Sequence, residues 1–585
     1  MRRLHVALKI LDRLEEVLIA TLMAAATLLI FVAVLHRYGT GVSFLYPYLI
    51  QIHLSWAQEL CIYMFVWMAK FGAAYGVRTG IHVGVDVLVN QLSPTPRRSV
   101  VLFSLFCGAL FTAVVGTMGL KFVAELYQTD QVSADLEAPR WIVYSAIPAG
   151  SYLMCFRFLQ VAWNFWRTGA LPHHDESRVE GVAIEAVALK LFSGIDSFEI
   201  MAIPFFILAG NFLTHGGVAR RMIAFATAMV GHWHGGLGLA GVVACALFAA
   251  ISGSSPATVV AIGSILLPAM VKHGYPKRFG AGVIATSGAL GILIPPSIVM
   301  VLVAVATGGS VALDPEGKRV LSASVAQLFM AGVVPGLILA TMLGMTTFYR
   351  AWKNDYPRMP KASWLEAVRA FRDSVWGLLL IFIVLGGIYT GAFTPTEAAA
   401  MSAVYAFVVA VFVYRDMKLK DVPKVLLASA NMSAMILYII TNAVLFSFLM
   451  TSEQIPQAMT AWIKGSGIGW VEFLLVVNVL LLLAGNVMEP SSIVLITAPI
   501  LFPIAVSLGI NPIHLGILMT VNMEVGLCHP PVGLNLYVAS GIARMGITEL
   551  TIATWPWLVT MLVFLAMVTY IPEMSLWLPR MLGML

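Results

Sequence analysis

The sequence predicts an all-α polytopic membrane protein: a four-helix membrane unit followed by a larger domain that contains an internal repeat. Three observations predict this. Of 585 residues, 60% are hydrophobic and 11% charged, whereas a soluble domain spends about a quarter of its residues on charge. Apolar runs approaching the roughly 20 residues that cross a bilayer recur from end to end, as at Leu18–Val34, Val100–Val115, Leu378–Ile388 with its flanks, and Leu474–Ala484. Two stretches of the second half also match each other in register.

Charge placement and cysteine usage exclude other classes. The net charge is +6, but Lys and Arg sit between the apolar spans and form no basic face, so no nucleic-acid partner is expected. Cys61, Cys107, Cys155, Cys245 and Cys528 lie scattered in apolar segments without CxxC spacing. They read as small membrane-embedded side chains, with no disulfide or metal role. The N-terminus, MRRLHVALKILDRLEE, is basic, but the apolar stretch after it exceeds the roughly 7–15 residues of a cleaved signal's core and reads as a retained helix. No Walker-type GxxxxGK[ST], HExxH or nucleophile–base arrangement occurs, so neither an ATP-driven pump nor an enzyme is expected, and no organic cofactor.

The first unit covers 1–166, with spans near 17–36, 57–77, 99–121 and 141–163. Arg2, Arg3, Lys9 and Arg13 precede the first span, Arg78, Arg97 and Arg98 separate the second and third, and Arg167 follows the fourth. The loop between spans three and four instead carries Glu125, Asp130, Asp135 and Glu137. The positive-inside rule therefore places both ends of the unit, and the N-terminus, in the cytoplasm. Trp56, Trp141 and Trp163 stand at span ends as interfacial anchors do. Residues 167–184 are a polar linker; its Pro172, His173, His174 and Asp175 lack the further ligands that a metal site needs.

The remainder, 185–585, contains a repeat at about 185–345 and 420–580. Pro256 matches Pro490, Pro268 matches Pro503, Gly280 matches Gly516, and Pro295-Pro296 matches Pro530-Pro531, at an offset of 234 to 236 residues throughout. The match extends back to GHWHGGLGLAG from Gly231. Chance apolar similarity does not keep four punctuating landmarks in register, so the chain is duplicated.

Each repeat is interrupted twice: at Ser252–Pro256 and Gly291–Pro296 in one, and at Gly485–Ser492 and Cys528–Gly533 in the other. Breaks free backbone groups inside the hydrocarbon layer, where an unsatisfied group costs several kcal/mol, so they persist only when buried in protein or lining a polar cavity. A single break reads as a packing kink, but breaks paired across two repeats point to a solute site. Carbonyls and hydroxyls there are hard ligands for a small cation. That makes Ser252, Ser254, Ser255, Thr258, Gly485, Asn486, Glu489 and Ser492 sodium-binding candidates, with no other metal expected. Free N–H groups at helix starts suit an anionic solute, with Ser255, Pro296, Ser297, Ser491, Pro531, Gly533 and Asn535 as candidates. Glu489 fits either an ion role or local capping. Glu524 and His529 either shape the site or satisfy neighbouring helices, the second being the preferred reading; Glu397 reads as the N3 partner of a Thr394 capping box, and His232 with His234 as an interfacial belt around Trp233. Proton coupling through Glu489 or Glu524 stays open.

These motifs resemble the tripartite ATP-independent periplasmic (TRAP) transporters. MAIPFFILAGNFLTHGGVARRM from Met201, Ser252–Pro268, GIYTGAFTPTEAAA from Gly387, Met488–Pro503, HPPVGLNLYVAS from His529 and YIPEMSLWLPRMLG from Tyr570 look like the large membrane subunit. SWAQELCIYMFVWMAKFGAAYGVRTGIHVGVDVL from Ser55 looks like the small one. The resemblance covers nearly the whole chain and implies a natural fusion of both subunits in a bacterial inner membrane. It further implies an inverted-repeat transport domain with re-entrant hairpins whose tips, Ser252–Thr258 and Asn486–Ser492, bind Na⁺ beside a carboxylate solute. An elevator movement and a separate periplasmic solute-binding protein belong to the same implication. NMEVGLCHPPVGLNLYVASGI, from Asn522, is similar to the four-carbon dicarboxylate branch. A carrier working without a binding protein, ion- or proton-coupled, shares every intramembrane feature. The second repeat keeps a region, roughly Trp376–Tyr414, that has no counterpart between the linker and Leu191–Phe198.

Overall fold

The computed structural model describes residues 2–40, 46–79, 94–129, 131–133, 135–168, 198–308, 311–486, 488–530 and 533–585. Among these, eleven helices are long and apolar enough to cross a membrane. The linker, with His173, His174 and Asp175, lies outside the described residues, as does the stretch before Phe198 in which a counterpart of Trp376–Tyr414 would fall. Packing divides the chain into two compact units, Met1–Pro204 with Lys420–Leu449, and Phe205–Leu419 with Met450–Leu585.

The first unit holds the four expected spans, Arg13–Gly39, Trp56–Val77, Arg98–Gln128 and Arg140–Arg167. Each runs somewhat past its apolar stretch, because backbone hydrogen bonding continues the helix where hydropathy has already fallen. Glycines set the close packing of the third helix on the fourth: a Cβ on Gly119 would stand 2.7 Å from Ile147, and one on Gly108 2.9 Å from Phe158. Val101, Leu105, Val161 and Phe165 fill one core between these two helices. Arg157 on the fourth helix reaches Glu15 on the first, with Nε and Nη2 donating to Oε1 at 3.0 and 2.7 Å; the arginine is 0% and the glutamate 2% exposed. Glu59 accepts the backbone N–H groups of Asp135 and Leu136 at 2.9 and 2.7 Å, which pins the acidic loop to the start of the second span.

This unit also takes in a helix from far along the chain. Val422–Ser452 contributes Ala434, which packs directly on Gly72. It also contributes Tyr438, which lies beneath the Lys70 ammonium at 5.7 Å and against Ala73, Ala74, Val77 and Met154. The sequence reading ends the unit at residue 166, since no local pattern marks a packing partner more than 250 positions away.

In the second unit, elements repeat in order. A hairpin of Gly236–Ser252 and Ser255–Lys272 is followed by helix Lys277–Ser287, a 3₁₀ turn Gly288–Ile292, an unwound stretch, helix Ile298–Thr307 and the long helix Val325–Lys353. A hairpin of Trp470–Gly485 and Pro490–Ser507 is followed by Pro512–Gly526, an unwound stretch, Leu534–Ala543 and Ile547–Tyr570. The shorter apolar helices are Gly236–Ser252, Ile298–Thr307, Trp470–Gly485 and Leu534–Ala543. At about 1.5 Å per residue they span roughly 15–25 Å, against a hydrocarbon core of about 30 Å. Each has one end at one of the four interruptions, so the breaks are helix ends and not kinks in continuous helices.

Local chemistry accounts for other boundaries. Thr394 accepts from the Glu397 N–H at 3.3 Å while Glu397 accepts from the Thr394 N–H at 2.9 Å, the capping box expected from the sequence. Pro395 occupies the first turn, where its missing N–H costs nothing. A small two-stranded antiparallel ribbon, Val311–Leu313 with Arg319–Leu321, was not anticipated. Its turn is fixed by Asp314, whose Oδ1 accepts from the N–H groups of Glu316 and Lys318.

Candidate functional site

The tip of the first hairpin forms where Gly236–Ser252 ends in a left-handed Gly253 (φ +62°) and an extended Ser254, before Pro256 opens the next helix. A Cβ at Gly253 would meet the Pro296 carbonyl oxygen at 2.8 Å, so glycine serves both the backbone angle and the close approach. Three oxygens converge there. Ser252 Oγ and Thr258 Oγ1 lie 2.9 Å apart, and they donate to the Ser254 carbonyl at 3.3 and 2.9 Å. Ser252 and Thr258 are buried. Such neutral hard oxygens are the ligand type that suits a small hard cation.

The tip presses on the unwound stretch of its own repeat. A Cβ on Gly291 would stand 2.6 Å from the Ser254 carbonyl oxygen and 2.9 Å from Ser255 Cα. Pro296 follows a cis Pro295-Pro296 bond, and Ser297, fully buried, caps helix Ile298–Thr307 by accepting from the Met300 N–H at 3.3 Å and donating to the Ile292 carbonyl. Ser297 is therefore committed to its own backbone.

The second repeat reaches the first tip through the side chain of Asn535. Asn535, fully buried at the start of Leu534–Ala543, donates from Nδ2 to Ser255 Oγ at 2.7 Å, while Ser255 Oγ donates to Asn535 Oδ1 at 3.0 Å; the hydroxyl proton and the amide thus close a ring. Asn535 also donates to the Ala285 carbonyl at 3.2 Å, which the Cys528 thiol shares at 3.4 Å. Removing either partner leaves a buried polar group unpaired, at about 1–3 kcal/mol. Asn535→Ala and Ser255→Ala should each lower the thermal midpoint of the purified protein. The double variant should cost less than the sum of the two, as contacting residues do; full additivity would show that the pair does not interact.

The second tip is arranged differently. Gly485 and Gly526 cross with a Cβ-to-Cα approach of 3.0 Å, at the positions equivalent to the first tip and Gly291. Glu489 is the N-cap of Pro490–Ser507. It accepts from the Ser491 and Ser492 N–H groups at 3.0 and 3.3 Å and from the Ser491 hydroxyl at 2.8 Å. Capping thus occupies Glu489 in this conformation. Asn486 is 8% exposed, and its Oδ1 meets no hydrogen-bond donor among the described residues. Pro531 lies outside the described residues. Gly533, with φ +48°, sits where a Cβ would meet the His529 carbonyl at 2.8 Å.

The structure therefore gathers Ser252, Ser254, Ser255, Thr258, Pro296, Ser297 and Asn535 around the first tip. Gly485, Asn486, Glu489, Ser491 and Ser492 form the second, and no hydrogen bond among the described residues joins the two sets. Sequence reasoning missed the chain Asn522–Asn478–Thr569, in which Asn522 Nδ2 donates to Asn478 Oδ1 and Asn478 Nδ2 to Thr569 Oγ1, at 2.7 and 2.8 Å. Nor did it foresee that Glu524 meets no hydrogen-bond donor among the described residues. Both lie in TVNMEVG, where Asn and Glu inside an apolar helix were the available signal.

Comparison with known proteins gives the family of the chain. The family described as "Tripartite ATP-independent periplasmic transporter, DctM component" matches residues 134–574, and "Tripartite ATP-independent periplasmic transporters, DctQ component" matches residues 26–168. The C4-dicarboxylate TRAP transporter large permease protein DctM of Rhodobacter capsulatus is 73% identical over 69% of this chain and 92% of its own length. The Pseudomonas aeruginosa protein of the same name is 54% identical over 69% and 91%. The isethionate TRAP transporter permease protein DctMQ of Oleidesulfovibrio alaskensis is 33% identical over 89% of this chain and 88% of its own.

Proposed function

Because the chain belongs to the tripartite ATP-independent periplasmic (TRAP) transporters, with DctQ and DctM components in one polypeptide, we propose that it imports a C4-dicarboxylate through a bacterial inner membrane, driven by Na⁺ and supplied by a periplasmic solute-binding protein. The observation that carries this reading is the meeting of the two repeats at Ser255 and Asn535, each at the start of a helix that follows a break. Helix starts offer free N–H groups to a carboxylate, and two of them facing one seam suit a solute with two carboxylates. The names of the Rhodobacter and Pseudomonas relatives support the four-carbon class.

Na⁺ fits the oxygens of Ser252, Ser254 and Thr258, and at the other tip Asn486 offers an amide oxygen that meets no donor among the described residues. With Na⁺ on neutral oxygens, the tip gains the positive charge that attracts a dianion, which is a direct electrostatic route to coupling. Transport would follow an elevator movement that carries both hairpins and the unwound stretches together, with the first four spans as static scaffold. The loop charges support a cytoplasmic N-terminus.

The test is uptake of labelled succinate into proteoliposomes holding the full chain, with and without a Na⁺ gradient and a C4-dicarboxylate-binding protein. Uptake that needs both is the expected result. Uptake with neither would make the chain a stand-alone, proton-coupled organic anion carrier. Absence of uptake by folded protein under every condition would sink the dicarboxylate reading.

A further inference from the structure

Glu524 is fully buried in the last turn of Pro512–Gly526, and neither carboxyl oxygen meets a hydrogen-bond donor among the described residues. The helix is enclosed by Trp470–Gly485, Pro490–Ser507, Ile547–Tyr570, Val325–Lys353, Ile298–Thr307, Glu573–Met581 and the turn Gly288–Ile292. The titratable groups on those elements stand at their ends: Glu472, Tyr349, Arg350, Lys353, Glu549, Tyr570, Glu573 and Arg580, with Glu489 at a cap. Several have other partners. Glu573 pairs with Arg580, Arg350 lies over Trp557, and Glu549 pairs with Arg278. On the helix itself His514 is engaged by Ser575 and Thr569, and the Cys528 thiol, one turn beyond Glu524, by Ala285. His529 faces its own neighbour, the Pro530 carbonyl.

An ionised carboxylate without donor or counter-ion in such a place costs several kcal/mol, whereas the protonated acid is neutral. Glu524 is also separate from the second tip. Asn522 and Gly526 face Trp470–Gly485 through Asn478 and Gly485. A residue two positions from each points to the opposite side of the helix. That side leads through Cys528 to the Ala285 carbonyl, and so to Asn535 and Ser255.

We propose that Glu524 is a proton-binding site of the transport cycle: it holds a proton in this conformation and releases it when the Ser255–Asn535 seam opens, so that one proton crosses with each solute. The release is to the cytoplasmic side: water entering the seam parted there takes the proton as the solute leaves, and the carboxylate takes its next proton from the periplasmic side when the seam next parts there to admit solute, before it closes. The inference rests on the transport reading above.

The test follows proton and labelled succinate movement together in Na⁺-driven proteoliposomes with the binding protein, at a pH where succinate is a dianion. The wild type should move about one proton per succinate. Glu524→Gln should bring that ratio to near zero whatever its remaining rate, and Glu524→Asp should keep it. Independently of transport, infrared spectra at neutral pH should show the carbonyl stretch of an un-ionised carboxylic acid that Glu524→Gln removes. Succinate moving without protons in the wild type, an unchanged ratio in Glu524→Gln, or the absence of that band overturns the proposal. So does a loss of Na⁺ dependence at constant proton ratio, which would make Glu524 a cation ligand. If the wild type takes up no succinate at all, the transport reading fails, and the infrared band decides Glu524 alone.

Discussion

Gly291→Ala should abolish succinate uptake while the protein still inserts and folds. The added methyl would stand 2.6 Å from the Ser254 carbonyl oxygen, 2.8 Å from its carbon and 2.9 Å from Ser255 Cα. All three are backbone atoms, so no rotamer change relieves the clash and the tip itself has to move. Overpacking of this kind costs about 1–3 kcal/mol, which a domain of this size survives. The displacement falls on Ser254 and Ser255, the residues that hold the oxygen triangle and the bond to Asn535. Uptake reduced by about tenfold or more, with near-normal yield and a modest fall in melting temperature, is the expected result. Gly526→Ala, at the equivalent crossing, meets the Gly485 backbone at 3.0 Å, less tightly than the 2.6 Å contact at Gly291, and should cost less. Normal uptake by Gly291→Ala would mean that the tip has slack and that its position does not govern transport.

Arg157→Ala should give the largest loss of stability in the first unit. The guanidinium and the Glu15 carboxylate are both buried, and Arg157 also donates to Gln160 Oε1 at 2.7 Å. Deleting one partner of a buried pair strands the other charge, at about 3–5 kcal/mol. Replacing both by apolar residues removes the charges together and is often neutral. Thermal unfolding of the full chain in detergent should therefore show a large drop for Arg157→Ala and substantial recovery for Glu15→Leu with Arg157→Leu. A double variant as unstable as the single one would show that the arginine acts through packing and not through charge.

Much of this was legible in the sequence because Gly and Pro punctuate helices by covalent geometry, which needs no knowledge of the fold. Pro256 and Pro490 mark the second helix of each hairpin, and the matched breaks coincide with four half-helices. Thr394 and Glu397 announced their box by spacing alone. Pairings across the chain were not legible. Asn535 and Ser255 are 280 positions apart, and nothing local distinguishes that asparagine from a helix cap. Ser297 is a different case: a hydroxyl beside a break suggests solute contact, and only the coordinates show that in this structure its oxygen also caps helix Ile298–Thr307. Glu489 offered two roles, and only coordinates show the capping geometry. For Glu524 the preferred reading is a partner on a neighbouring helix, but among the described residues no hydrogen-bond donor meets its carboxyl oxygens.

The closed ring between Ser255 and Asn535 has a bearing on selectivity. On the proposed reading, a solute that enters the seam exchanges bonds: it must offer an acceptor to the amide and a partner to the hydroxyl before either lets go of the other. A molecule of the right size that can replace only one of the two leaves a buried group bare, at about 1–3 kcal/mol, a disadvantage of roughly ten- to hundredfold. The seam then discriminates by what a poor ligand fails to replace, and an empty carrier stays latched because the two side chains are each other's substitute for cargo.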